Sequence, residues 1–264
     1  LRLAGDELIR SRPTAVNLPW AVNELLNRLT SIPLAERPTG ALAFAEQVCE
    51  SDVESCRRIG LTGLKVIKAL PAFKKNKRPI NVLTHCNAGW LACVDWGSAL
   101  SPIYAAHAEG IDIHVWVDET RPRNQGASLT SFELDQQGIP FHLISDNAGG
   151  HLMQEGKVDL CLVGADRVTR NGHVANKIGT YLKALAARDN EVPFYVAFPG
   201  TTIDWSVDSW RDIPIEERSG DEVTSIRGRL EDGSIADISI GPNNISAANP
   251  AFDVTPSNLI TGLI

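Results

Sequence analysis

Beyond Pro79 the chain alternates short apolar runs with amphipathic stretches, and this alternation restricts the folds open to it more than any other feature. Strands are expected over residues 81–86, 111–118, 140–145, 160–165 and 193–198, with helical patterns over 91–109, 128–137, 148–155 and 175–188 between them. Strand, helix, strand in this order builds right-handed parallel crossovers, which predicts an α/β fold with a Rossmann-like, doubly wound parallel sheet. The apolar runs end in THCN, DETRPR, SDN, GADR and FPGTTID. Polar and charged residues therefore gather at the carboxyl edge of the sheet, where an open parallel sheet binds its ligand.

Upstream the periodicity is helical. Val16, Trp20, Val22, Leu25, Leu26 and Leu29 form one apolar face and Phe44, Val48, Val53 and Ile59 another, with breaks at Pro33 and Pro38. The connector PAFKKNKRP places a boundary between a helical N-terminal domain, residues 1–72, and a Rossmann-like catalytic domain, residues 79–264. The first residue is Leu1, already in mid-pattern, so the chain is expected to continue upstream.

Within the run NVLTHCNAG, Cys86 falls where the first strand gives way to the expected helix 91–109. Near a helix N-terminus, free N–H groups and the dipole would favour a thiolate and could hold an anion. Unpaired cysteines are also among the most buried residue types. That description suits Cys49, Cys56, Cys93 and Cys161, and position alone leaves both readings open for Cys86. Asp166 ends the apolar strand LCLVGAD, where poor solvation would raise its pKa and suit it to acid–base work, or it pairs with Arg167 or Arg170, or caps a helix. Asn176 and Lys177, at the start of the expected helix 175–188, read as an anion clamp, a surface lysine being the alternative. Arg121, Arg123 and Gln125 make a further polar cluster, unless the arginines pair with Asp118 and Glu119.

Composition narrows the function classes. A net charge of −7 over 264 residues, with no basic run longer than KKNKR at 74–78, argues against a nucleic-acid partner, and that short cluster reads as a solvated loop. No apolar stretch has membrane-spanning length, so no membrane partner is expected. Five cysteines without a CxxC pair read as reduced thiols of a cytoplasmic protein and give no zinc signature. Neither GxGxxG nor a P-loop lysine motif occurs.

The stretches RPTAVNLPWAV, THCNAG, DETRPRNQGA, LTSFEL, GIPFHLISDN, VGADRVTRNGHVANKIGTY and PIEERSGDEV together carry a resemblance that spacing alone could not supply. The chain resembles the methylthioribose-1-phosphate isomerases, of the superfamily that includes the regulatory subunits of translation initiation factor 2B and archaeal ribose-1,5-bisphosphate isomerases. The resemblance implies that Cys86 and Asp166 are catalytic, and that Arg12, Gln125, Asn176 and Lys177 contact the phosphate and sugar. It implies a homodimer with neither metal nor organic cofactor, converting an aldose 1-phosphate, 5-methylthioribose 1-phosphate, to the 1-phosphoketose in methionine salvage. Alternatives of the same superfamily are an isomerase of 5-deoxyribose 1-phosphate or ribose 1,5-bisphosphate, and a non-catalytic subunit that binds a sugar phosphate. Two departures stand out. The family's RGAP phosphate motif is not in this sequence, and Trp90 follows the cysteine turn where small residues are usual, so its indole either packs on the sugar's apolar end or anchors the core.

Overall fold

The computed structural model describes residues 1–75, 79–242 and 244–264. The helical N-terminal region holds α1 (Arg2–Arg10), α2 (Asn17–Thr30), α3 (Arg37–Ala69) and α4 (Pro71–Lys75). Val22, Leu29, Phe44 and Ile59 of the expected apolar faces are buried. Pro38 does not break a helix. It occupies the first turn of α3, where its missing N–H costs nothing. Of the connector carrying the expected boundary and basic loop, Asn76, Lys77 and Arg78 lie outside the described residues.

The strands in chain order are β1 (Ile80–Thr84), β2 (Ile113–Asp118), β3 (Phe141–Ile144), β4 (Leu160–Val163), β5 (Arg167–Thr169), β6 (Val174–Lys177), β7 (Phe194–Val196), β8 (Ile203–Asp204), β9 (Ser225–Arg229), β10 (Ile235–Ser239), β11 (Phe252–Thr255) and β12 (Gly262–Leu263). Among the described residues β12-β7-β4-β1-β2-β3 form one sheet, parallel throughout. All five strands expected from the sequence lie in it. The central strands β1 and β4 are buried throughout and read as apolar runs, whereas the edge strand β3 leaves His142 and Leu143 exposed. Val82 faces the core under α3 and α5 (Ser101–Ala108), while Leu83, one residue on, faces the core under α7 (Ala148–Gln154) and α8 (Thr180–Asp189). A further helix, α6 (Ser131–Gln136), adds Leu134 to the first core.

Two expected helices are shorter than their patterns. Of residues 91–109 only Ser101–Ala108 is helical. The first half runs through turns, with Trp96 and Gly97 at φ 65° and 76°, conformations that end a right-handed helix. Of residues 175–188, the first three belong to β6, and the helix starts at Thr180. The four buried residues Val174–Lys177 pair antiparallel with both β5 and β11, in a smaller sheet ordered β11-β6-β5-β8. The chain enters this second sheet directly from the carboxyl end of β4, through the short link 164–166.

Candidate active site

The strand order reverses at β1 and β4: successive strands run outward from β1 through β2 to β3, and outward from β4 through β7 to β12. The crevice beyond two such adjacent strands is the usual ligand site of a doubly wound sheet. Cys86 follows β1 and Asp166 follows β4, and both line one cavity of about 570 Å³. Arg12, Gln125, Asn176 and Lys177 line the same cavity, so the six site residues that the resemblance implies are brought to one place.

The Cys86 turn is held from both sides. Cys86 adopts a left-handed conformation, φ 68°. Its N–H donates to Thr120 Oγ1 at 2.9 Å and its carbonyl accepts from Thr130 Oγ1 at 2.7 Å. No helix begins at Asn87, so the expected helix dipole does not act on the thiol. Burial instead pushes Cys86 up to about 11, against the pull of the Lys177 ammonium. Beyond it Glu133, fully buried on α6, gathers the loop: its carboxylate accepts from Asn87 Nδ2 at 2.9 Å, from the N–H groups of Trp90 and Leu91 at 2.9 and 3.0 Å, and from the Tyr104 hydroxyl at 2.5 Å. Gly89 is required there, because a Cβ would overlap the Glu133 carboxylate.

Asp166 is tied down through its backbone, its N–H donating to Ala175 and its carbonyl accepting from Val16 N–H, at 2.9 and 3.1 Å. Burial lifts its carboxyl to about 6, while Lys177 and Arg12 oppose the rise and Glu216 adds to it. Its nearest cation is Arg12, 3.9 Å away. The expected partners are engaged elsewhere: Arg167 with Asp204 at 2.9 Å and Arg170 with Asp208 at 3.7 Å.

Asn176 and Lys177 sit at the end of a strand and not at a helix N-terminus, which corrects the anion-clamp geometry read from the sequence. Lys177 is 4% exposed, so it is not a surface lysine. Its Nζ donates to the Ala251 carbonyl at 3.1 Å and lies 4.5 Å from the Phe252 ring centre, and burial depresses its pKa. Asn176 Nδ2 donates to Thr180 Oγ1 at 3.1 Å. Gln125 Oε1 is buried with no hydrogen-bond partner among the described residues, an acceptor on the wall of the site.

Other expectations change. Arg121 donates to the Val223 carbonyl at 2.8 Å and Arg123 pairs with Glu222 at 3.4 Å, while Asp118 pairs with His85 and Lys183. Trp90 does not line the cavity. Its indole packs edge-on against Phe132, centroids 6.1 Å apart. Cys56 and Cys161 are buried as expected, but Cys49 is exposed and Cys93 lines the cavity from a turn. The sequence reading passed over Arg218 and Glu133. Arg218 lines the cavity, bonds Glu216 at 2.7 Å and shares the Phe252 ring with Lys177. Its signal was present, a charged triplet inside the matching stretch PIEERSGDEV.

Among the described residues no helix is long and apolar enough to cross a membrane. Fold and site define a Rossmann-like protein with a thiol and a carboxyl group lining one cavity at the switch point of its sheet. Residues 1–264 match the initiation factor 2 subunit family, and the chain belongs to that family. It is 60% identical to a methylthioribose-1-phosphate isomerase of Rhizobium meliloti (strain 1021), over 98% of this chain and 71% of that protein. Its backbone is similar to the crystal structure of 5-methylthioribose 1-phosphate isomerase from Pyrococcus horikoshii OT3, with a TM-score of 0.82, 40% identity, and coverage of 100% of this chain and 69% of that one. It is similar also to a crystal structure described as translation initiation factor eIF-2B, subunit delta, from A. fulgidus, with a TM-score of 0.78, 40% identity, and coverage of 100% and 72%.

Proposed function

We propose that this protein is an aldose–ketose isomerase that converts 5-methylthioribose 1-phosphate to the corresponding 1-phosphoketose, a step of methionine salvage. The observation that carries the reading is the joint presence of Cys86 and Asp166 in one cavity with Lys177, Arg12 and Arg218. A protein that only bound a sugar phosphate would need the cations and not the acid–base pair.

In an aldose 1-phosphate the anomeric oxygen is esterified, so the ring does not open to a free aldehyde by itself. An acid must protonate the ring oxygen. Asp166, at about 6, changes charge close to neutrality, and a phosphate dianion bound nearby raises it further. A hydrogen then moves from C2 to C1. In one route Cys86, as thiolate, removes the C2 proton and an enol is reprotonated at C1. In the other, hydride passes directly from C2 to C1 while a site base takes the C2 hydroxyl proton. Lys177 is the group that most favours the Cys86 thiolate. Lys177, Asn176 and Arg12 hold the phosphate in this scheme, and the unpartnered Gln125 oxygen accepts from a sugar hydroxyl. The reading includes a cytoplasmic homodimer, supported by the family resemblance and by five free thiols.

The test is a progress curve with 5-methylthioribose 1-phosphate beside 5-deoxyribose 1-phosphate and ribose 1,5-bisphosphate. Turnover fastest on the first is expected, with Cys86→Ser lowering kcat by about 10²–10⁴-fold and KM little. Binding of the sugar phosphates without turnover would overturn the enzymatic reading in favour of a regulatory subunit, the reading favoured by the likeness to the A. fulgidus chain.

A further inference from the structure

The residue before Cys86 is buried and takes no part in the scheme above. His85 is 1% exposed, and each of its ring nitrogens faces an acceptor: Nδ1 lies 2.8 Å from Asp118 Oδ2 and Nε2 lies 2.7 Å from the Ile178 carbonyl oxygen. A carbonyl oxygen only accepts, so Nε2 carries a hydrogen. The same Asp118 oxygen receives the Lys183 ammonium at 3.0 Å, which keeps Asp118 a carboxylate, so Nδ1 also donates. Both ring nitrogens of His85 thus face acceptors, a geometry fully satisfied only when each carries a hydrogen.

Three carboxyl groups and one lysine surround the ring. Asp146, after β3, has an oxygen 4.0 Å from Nδ1 and also accepts the N–H groups of Thr120 and Arg121, each at 2.7 Å. Asp253 on β11 accepts from the N–H groups of Gly179 and Tyr181 at 2.7 and 3.0 Å and interacts electrostatically with His85. Lys183 on α8 bonds the Asp146 carbonyl as well as Asp118. Gly179, at φ 101°, leaves room for the ring: a Cβ there would lie 3.0 Å from His85 Cε1.

The two bonds of His85 span the site. One end of the residue is covalently joined to Cys86, and its ring grips the carbonyl of Ile178, the residue after Lys177. We propose that His85 is a positioning residue, a two-armed imidazolium that fixes the Cys86 turn against the Asn176–Lys177 strand end. The proposal rests on the reading in which Cys86 reacts and Lys177 holds the phosphate. The strand end is also anchored by the pairing of β6 with β11 and β5, while the Cys86 turn keeps only its two threonine bonds, so losing His85 loosens the turn more than the anion site. Glutamine cannot substitute, because its amide offers donors at one end only and both neighbours of the ring are acceptors.

The experiment has two arms on the full chain. In the unaltered protein, ¹⁵N NMR of labelled histidine should show both His85 nitrogens protonated at pH 7. A neutral tautomer would overturn the proposal, and this arm needs no variant. In the second arm His85→Gln should lower kcat on 5-methylthioribose 1-phosphate by about 10–100-fold, the scale of a misplacement near 1 Å. KM and the affinity for inorganic phosphate should change less than about threefold, and alkylation of Cys86 by iodoacetamide should change severalfold. Unchanged alkylation, or equal losses of turnover and phosphate affinity, would overturn it. If the unaltered protein turned over none of the three sugar phosphates, the proposed activity would fail alone, and alkylation with the NMR signature would still decide the role of His85.

Discussion

Replacing Asp166 by asparagine should yield a protein that is more stable and nearly inactive. Burial raises the carboxyl from its ordinary 3.8 to about 6. At about 1.4 kcal/mol for each tenfold in proton affinity, keeping it ionised in the folded state at pH 7 costs about 3 kcal/mol. Water at the 23% exposed side chain brings the expected figure to about 2 kcal/mol. The sign follows from proton linkage: the folded protein binds this proton more tightly than the unfolded chain. Its contribution to stability is therefore complete below pH 4 and is lost as the pH rises through 6. An amide in its place would carry no charge to desolvate. Asp166→Asn should gain about 2 kcal/mol at pH 7, or about 4–8 °C in Tm for a chain of this size, and gain nothing near pH 4, while kcat falls by about 10²–10⁴-fold. Urea unfolding of both proteins at the two pH values measures the difference. A variant less stable than its parent at pH 7, or a gain independent of pH, would refute the assignment of a strained, desolvated carboxylate.

Lys177→Ala should weaken binding of substrate and of inorganic phosphate or sulfate about tenfold or more, read by calorimetric titration, since it removes a buried cation from the cavity; unchanged anion affinity would remove Lys177 from the site. Trp90→Ala should lower Tm without altering the order of preference among methylthio, 5-deoxy and 5-hydroxy substrates, because the indole packs on Phe132 outside the cavity. Competition kinetics on the three would contradict this if the order changed. Glu133→Gln should cost about 3 kcal/mol in urea unfolding, because the new NH₂ group faces donors where a carboxylate oxygen now accepts; a loss under about 0.5 kcal/mol would mean the loop is held in some other way.

How far the sequence could be read depended on how each segment is buried. The central strands β1 and β4 are visible because covering on both faces makes apolar runs, and their polar ends point to Cys86 and Asp166. The segment 91–100 misled because apolar spacing there serves the cavity wall and loop packing, while Trp96 and Gly97 turn the chain out of a helix. Ala175–Lys177 reads as the start of the helix 175–188 but belongs to β6, since a four-residue buried strand carries no period to count. The ring of charges around His85 was hidden for a different reason. Asp118, Asp146, Lys183 and Asp253 come from four separate places in the chain, and only the fold makes neighbours of them.

The way Glu133 gathers the loop after Cys86 bears on how this family could change its diet. It holds residues 90 and 91 by their backbone N–H groups, which every amino acid except proline supplies. The path of the wall is thus fixed independently of the side chains it carries. Leu91, Ala92 and Val94 line the cavity, with Leu91 and Val94 44% and 53% exposed, and they can be exchanged without rebuilding the loop. Here substrate range can drift by single substitutions, and a library confined to these three positions is the economical place to begin engineering it.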